Sequence, residues 1–283
     1  MSSPRVRHLA LPQLTLAALE WGEPDAPPLL ALHGWLDNAG SFAMLAPLLA
    51  QRCRVIALDL PGHGHSDHLP AGASYHPIDQ ARTVLAALDA LGLRRCRLLG
   101  HSLGAGIASL VAAAAPARVE HLHLIEGLGP LGDDGTHTLQ RYRDALAAPP
   151  ASGKTLRVFR SIDQAASARA IASGLPAELA RPIIERGLRE ADGGWQWRSD
   201  PRLVRPTAVR LAETQIRALL AGIEAPTSLL LSQPATPYLP TLQMEARAAC
   251  VPRITVEHLA GGHHLQLEHP QAVAQWVLRH AAG

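Results

Sequence analysis

The chain has 283 residues, enough for one large domain with a sizeable core and room for an inserted segment. Hydrophobic residues make up 47% and charged residues 18%, which excludes an intrinsically disordered chain. The net charge of +2 rests on scattered arginines with no basic run, so no nucleic-acid partner is expected.

In chain order, Val6 to Leu11 and Leu14 to Glu20 read as an opening hairpin turning at Pro12-Gln13. Leu29 to Leu32 is apolar on both faces, as a central parallel strand is, and ends at His33-Gly34-Trp35. Ser41 to Ala50 has helical apolar spacing at Phe42, Leu45, Leu48 and Leu49. Arg54 to Leu60 is the next buried strand, broken by the turn-rich run Pro61 to Asp67. A helix over Ile78 to Leu91 leads to the strand Arg95 to Leu99. A small-residue helix, Leu103 to Ala115, follows and stops at Pro116. Val119 to Ile125 is a strand closing at Glu126-Gly127.

From there to about Leu220 the alternation stops, and short helical stretches such as Thr138 to Ala147 and Glu178 to Arg189 stand among Gly, Pro, Asp and Arg. Alternation resumes with the strand Thr227 to Leu231, a helix near Tyr238 to Cys250, the strand Ile254 to Leu259 and a final helix from Gln271 to Ala281. The pattern implies an α/β fold: a mostly parallel eight-stranded sheet with helices on both faces, the core formed by residues 1–126 and 221–283 and an inserted helical cap by residues 127–220. Ligands of such sheets sit at the carboxyl ends of the strands.

No apolar run approaches the ~20 residues of a membrane span. The start, Met1-Ser-Ser-Pro-Arg-Val-Arg, leads into no signal-peptide core, so a cytoplasmic protein is expected. Three cysteines are an odd count; Cys53, Cys96 and Cys250 read as free thiols rather than disulfides or a metal site.

Gly100-His101-Ser102-Leu103-Gly104 stands between a strand and a helix, the setting of a nucleophile elbow. Such a turn strains its central residue and needs glycines two positions either side, which makes Ser102 the candidate nucleophile. A Ser hydroxyl needs a base. His263 follows a Gly pair just after the last strand, on the same carboxyl edge; His264 is its competitor, and His264 and His269 otherwise read as partly exposed residues near a helix start.

The base needs a carboxylate to fix its tautomer. The loop after Leu231, Ser232 to Pro237, contains no acid. Glu126 stands 24 residues beyond Ser102, enough for one helix and one parallel strand, and is the candidate acid ahead of Asp133 and Asp134. The candidate oxyanion donors are the backbone N–H groups of Leu103, at a helix start, and Trp35. Trp35 and His101 are expected to line the substrate pocket. The His63, His65, His68 run lies in a Gly-rich turn without Cys, where Asp59 and Asp67 more plausibly bind backbone N–H groups, so no metal and no cofactor are expected. Trp195 and Trp197 read as core of the inserted segment, or as substrate contacts.

Together, His33-Gly34-Trp35, the Asp59 to Asp67 loop, Gly100-His-Ser-Leu-Gly104 and Gly262-His263 resemble the α/β-hydrolases over nearly the whole chain outside the insert. In that family the His stands five residues before an acid and seven before a Pro, as His263 does before Glu268 and Pro270. His33 to Phe42 and Trp195 to Leu203 are similar to the serine hydrolase-like proteins. Members with the acid after the sixth strand place it where Glu126 stands. The resemblance implies a cofactor-free ester hydrolase, a monomer or homodimer, acting on a small ester with an apolar acyl group. Thioester, lactone or amide cleavage by the same triad stays open, as does a receptor-like binding protein. A cofactor-independent lyase or oxygenase is remote, and Ser102 in place of an Asp nucleophile argues against dehalogenases and epoxide hydrolases.

Overall fold

In a computed structural model describing residues 3–148 and 157–280, the alternating segments assemble into one eight-stranded sheet. Its strands are β1 (Arg5–Ala10), β2 (Thr15–Trp21), β3 (Pro28–Leu32), β4 (Arg54–Leu58), β5 (Cys96–His101), β6 (Val119–Ile125), β7 (Thr227–Gln233) and β8 (Ile254–Ala260). The spatial order is β1-β2-β4-β3-β5-β6-β7-β8. The opening hairpin is antiparallel and β2 meets β4 antiparallel; every later pairing is parallel. The sheet is the mostly parallel, eight-stranded one expected from the sequence.

Alternation along each strand divides the core into two layers. Leu30, Leu32 and Leu98 face the helices Pro77–Ala90, Leu103–Ala114, Glu213–Ala221 and Thr241–Ala248. Leu29, Ala31 and Leu99 face Phe42, Leu45, Leu49 and the helix Pro270–His280. The helix expected over Ser41 to Ala50 is instead two short pieces, a 3₁₀ turn at Ala39–Phe42 and a helix at Ala46–Leu49. Asn38 caps the first piece by accepting from the Gly40 N–H, so the turn begins earlier and breaks before Pro47.

Between β6 and β7 the chain builds a third, smaller apolar cluster around Phe159, Ile183 and Ile184. Its helices Ile162–Ser173 and Ala177–Gly187 lie beside a three-stranded sheet that pairs Gly194–Trp197 with Val158–Phe159 and with Leu188–Ala191. The helix expected to reach Arg189 thus stops at Gly187, where the β-hairpin takes over the backbone bonds. Trp197 packs edge-on against Phe159, at 5.6 Å between rings. The helix Glu213–Ala221 sends Ile216 and Leu220 into the main core.

The insert is seated on the sheet edge by polar bonds. Arg186 brackets both carboxylate oxygens of Asp59, its Nε 3.0 Å from each. Asn38 donates to the Ile183 carbonyl at 2.7 Å, and the Tyr75 hydroxyl to Asp200 at 2.7 Å. Asp59 also accepts from the Ala39 and His65 N–H groups, and Asp67 from the Thr15 N–H, as read from the loop composition. Among the described residues no helix is long and apolar enough to cross a membrane.

Candidate active site

Strand β5 ends at His101 and the helix starts at Leu103, leaving Ser102 alone at the corner with φ +52° and ψ −112°. A non-glycine residue there is strained, and the strain is held by close packing on both sides. A Cβ on Gly100 would approach the Ala105 Cα to 2.6 Å, and one on Gly104 would overlap the Leu32 carbonyl oxygen. The Leu103 N–H is the first of the helix and has no intrahelical acceptor.

Parallel pairing sets the next group. His101 is level with Ile125, so Ser102 and Glu126 leave adjacent strands at the same edge, where the Ser102 N–H donates to the Ile125 carbonyl at 3.0 Å. Glu126 also stands at positive φ, +52°. Its carboxylate is almost completely buried, with 2% exposure. Oε1 accepts from the Ser232 N–H at 2.5 Å, and Oε2 from the Thr236 hydroxyl at 3.3 Å. The acid-free loop after β7 therefore supplies donors to Glu126.

His263 follows β8 and its Nδ1 lies 3.1 Å from Glu126 Oε2. The chain is held there from two sides. Glu268 accepts from the Gly262 and His264 N–H groups, at 2.7 and 3.2 Å, and His101 Nε2 donates to the His263 carbonyl at 2.8 Å. Tyr238 packs edge-on to the His263 ring at 5.0 Å. Ser102 and Glu126 thus leave adjacent strands at one rim, Glu126 meets His263 there, and His101 bonds the backbone of the His263 loop.

Two expectations need correction. His264 is buried, at 5% exposure, because Leu265 and Leu267 turn inward beside it and Asp37 faces its Nε2 at 3.4 Å. His101, expected to line the pocket, is fully buried, its ring tilted against those of His263 and His264, and its Nε2–H is spent on the His263 carbonyl. Burial first, then the two neighbouring histidines, push its pKa well below the usual range, so it is neutral. Trp35 is half exposed beyond the end of β3, its indole donating to the Leu203 carbonyl of the insert at 3.2 Å.

The remaining candidates serve local structure. Asp133 and Asp134 accept from the Gly135 and Thr136 N–H groups of their own turn. His63 is buried and donates to the Pro61 carbonyl, while His68 Nε2 contacts the Arg198 carbonyl, so the three histidines of that loop do not converge. Among the described residues no group of three or more His, Cys, Asp or Glu is arranged to hold a metal ion. Cys53, Cys96 and Cys250 are free thiols. A cavity of about 300 Å³ opens on the far side of Glu126, lined by Ser232, Thr236, Leu239 and His258 but not by Ser102 or His263.

Sequence reasoning passed over Asp37 and Arg169, which form a buried ion pair just below the rim. Asp37 was legible in part, as a polar residue in the turn-rich stretch between Gly34 and Gly40. Arg169 carries no such signal.

Comparison with known proteins bears on the family and the fold. A family described as the alpha/beta hydrolase fold matches residues 27–168. A serine hydrolase-like protein of Danio rerio is 30% identical over 91% of this chain and 82% of its own length. The crystal structure of a hypothetical protein from Pseudomonas aeruginosa PAO1 shares 39% identity, with a TM-score of 0.90 over 98% of this chain and 99% of that one. The thioesterase domain from the curacin biosynthetic pathway superposes with a TM-score of 0.85 at 25% identity, covering 98% of this chain and 100% of that one.

Proposed function

Because the chain belongs to the α/β-hydrolase family and is a hydrolase of that type, we propose that it cleaves carboxylic esters through a Ser102, His263 and Glu126 triad. The observation that carries the proposal is the 3.1 Å contact between His263 Nδ1 and Glu126 Oε2, at the rim where the strained elbow presents Ser102. With Nδ1–H held by the carboxylate, Nε2 keeps its lone pair and acts as the base. Ser102 Oγ attacks the acyl carbon and passes its proton to His263. The oxyanion forms against the N–H groups of Leu103 and Trp35. Collapse expels the alcohol, which takes the proton from His263 and leaves an acyl-Ser102 ester. Water then gives a proton to His263 and attacks the ester; the Ser102 Oγ–acyl bond breaks, Ser102 takes the proton back from His263, and the acid leaves. The insert acts as a cap that covers an apolar acyl pocket, with Trp35 at its mouth.

A thioester substrate is the second reading, favoured by the likeness to the curacin thioesterase domain. The triad chemistry is the same, and the leaving group alone differs. The test is a panel of p-nitrophenyl esters and acyl thioesters of graded length, with fluorophosphonate labelling of the intact protein. Ser102→Ala is expected to lose roughly 10⁶-fold in kcat and all labelling. Turnover retained in Ser102→Ala would reject the assignment. A wild-type protein that neither labels nor turns over would mark a binding protein instead.

A further inference from the structure

The turn that carries the Trp35 N–H spans Gly34 to Asp37 and is closed by the Asp37 N–H donating to the Gly34 carbonyl at 3.1 Å. Leu36, its third residue, has φ +59°. A non-glycine residue in that region costs on the order of 1–3 kcal/mol and persists only where its surroundings hold it. The holder is the Asp37 side chain, which is 2% exposed. One carboxylate oxygen accepts from Arg169, on the helix Ile162–Ser173 of the insert. The other faces His264 Nε2 at 3.4 Å, the Ser41 hydroxyl at 3.5 Å and His101 Nδ1 at 3.8 Å. Burial opposes ionisation here, yet His264 and Arg169 hold the Asp37 carboxyl well below the usual range.

Two routes lead from this carboxylate to the His263 peptide. His264 is the next residue in the chain, and His101, which packs against the carboxylate at 3.8 Å without a hydrogen bond to it, sends its Nε2–H to the His263 carbonyl at 2.8 Å. The packing leaves no slack, since a Cβ on Gly34 would stand 2.9 Å from His101 Nδ1 and 3.2 Å from Asp37 Oδ2. A buried carboxylate without a counter-charge would be strongly destabilised, so seating the Ile162–Ser173 helix supplies what this turn requires.

We propose that Asp37 is a positioning residue for the hydrolysis: it ties the turn bearing the Trp35 N–H to the loop bearing His263, with Arg169 of the insert as its counter-charge. The proposal rests on the triad reading above and extends it to the frame under the oxyanion site. A displacement of about 1 Å at reacting groups costs ~10²-fold in rate, so loosening this tie acts on kcat more than on substrate binding.

The test uses the full-length protein with p-nitrophenyl butyrate and a small fluorophosphonate. Asp37→Asn combined with Arg169→Gln removes both charges together, so neither is left buried alone. The double variant is expected to lose about 30- to 100-fold in kcat and in labelling rate, with KM within about threefold of wild type. A role in stability alone predicts normal kcat once the charges are balanced. A double variant with wild-type kcat, or with a changed KM at unchanged kcat, overturns the proposal while leaving Ser102 as nucleophile. A wild-type protein that neither labels nor turns over overturns the triad reading and this inference with it. Should the double variant fail to fold, His264→Gln leaves the ion pair intact and cuts one tie. Its kcat is expected to fall about tenfold at constant KM, and a wild-type kcat there overturns the proposal equally.

Discussion

Replacing Glu126 by Gln turns one carboxylate oxygen into an amide NH₂ and tests the proposed triad from its acid end. The side chain keeps its shape, so the outcome turns on which way the amide faces. Glu126 Oε1 now accepts from the Ser232 N–H at 2.5 Å, and Oε2 lies 3.1 Å from His263 Nδ1. With the amide oxygen towards Ser232, its NH₂ meets His263 and forces the proton onto Nε2, where the imidazole can no longer accept from Ser102. With the oxygen towards His263, the NH₂ confronts the Ser232 N–H, and a buried donor loses its acceptor at a cost of about 1–3 kcal/mol. The ground state therefore favours the wrong tautomer. The variant also lacks the negative charge that stabilises the imidazolium as it forms. Together these effects are expected to lower kcat by about 10⁴-fold, roughly 5.4 kcal/mol in the barrier. The assay is steady-state hydrolysis of a p-nitrophenyl ester, with a melting curve to show that the fold is intact. A folded Glu126→Gln protein within about tenfold of wild-type kcat would refute the argument.

Acid should destabilise the protein before its carboxylates titrate. Burial, with His33 alongside, lowers the His63 pKa to about 3, and burial, with His280 and Arg97, lowers that of His121 to about 4. Both are therefore neutral in the fold but protonate near 6.5 when unfolded, so stability falls as the pH drops below 6.5 at about 1.4 kcal/mol per unit for each group. That is about 4 kcal/mol by pH 5 for the two together, read as a fall in Tm of roughly 10 °C from pH 7; a flat Tm over that interval contradicts the assignment. Gly104→Ala places a Cβ against the Leu32 carbonyl and within 2.8 Å of the His33 carbonyl oxygen. It is expected to destabilise by about 3 kcal/mol and to abolish the proposed ester hydrolysis with the elbow, which denaturant melts and ester assays check together.

Strands and elbow were legible because they answer to local rules. A run such as Leu29 to Leu32 can be buried on both faces only in a parallel sheet, and Gly100 and Gly104 flank Ser102 where no side chain fits. The order of residues also predicts Ser102, Glu126 and His263 at one sheet edge; the register of β5 with β6 sets Ser102 beside Glu126, and His263 Nδ1 lies 3.1 Å from Glu126 Oε2. What failed depended on contacts between distant segments. His264 looks like a surface histidine beside a helix start until Asp37, 227 residues earlier in the sequence, faces it across the rim. Arg169 and Arg186 look like solvated charges on the insert until each meets a buried carboxylate of the sheet edge. Ser41 to Ala50 has helical spacing, but Asn38 and Pro47 divide it in two.

The place of the acid follows from the same geometry. Strands β6 and β7 are adjacent and parallel, and Ile125 is level with Leu230, so their carboxyl ends approach the His263 loop side by side. A carboxylate leaving either strand starts within one strand spacing, about 5 Å, of the same imidazole. Moving it from β7 to β6 requires a new supporting shell, because a buried carboxylate needs donors on its remaining lone pairs. The segment after β7 has become that shell: the Ser232 N–H and the Thr236 hydroxyl both point at Glu126. A carboxylate of its own on that segment would bring two negative charges to one histidine and raise the pKa of one of them. The missing acid between Ser232 and Pro237 and the positive φ of Glu126 thus belong to one arrangement, in which a strained backbone turns the acid across to donors supplied by its neighbour.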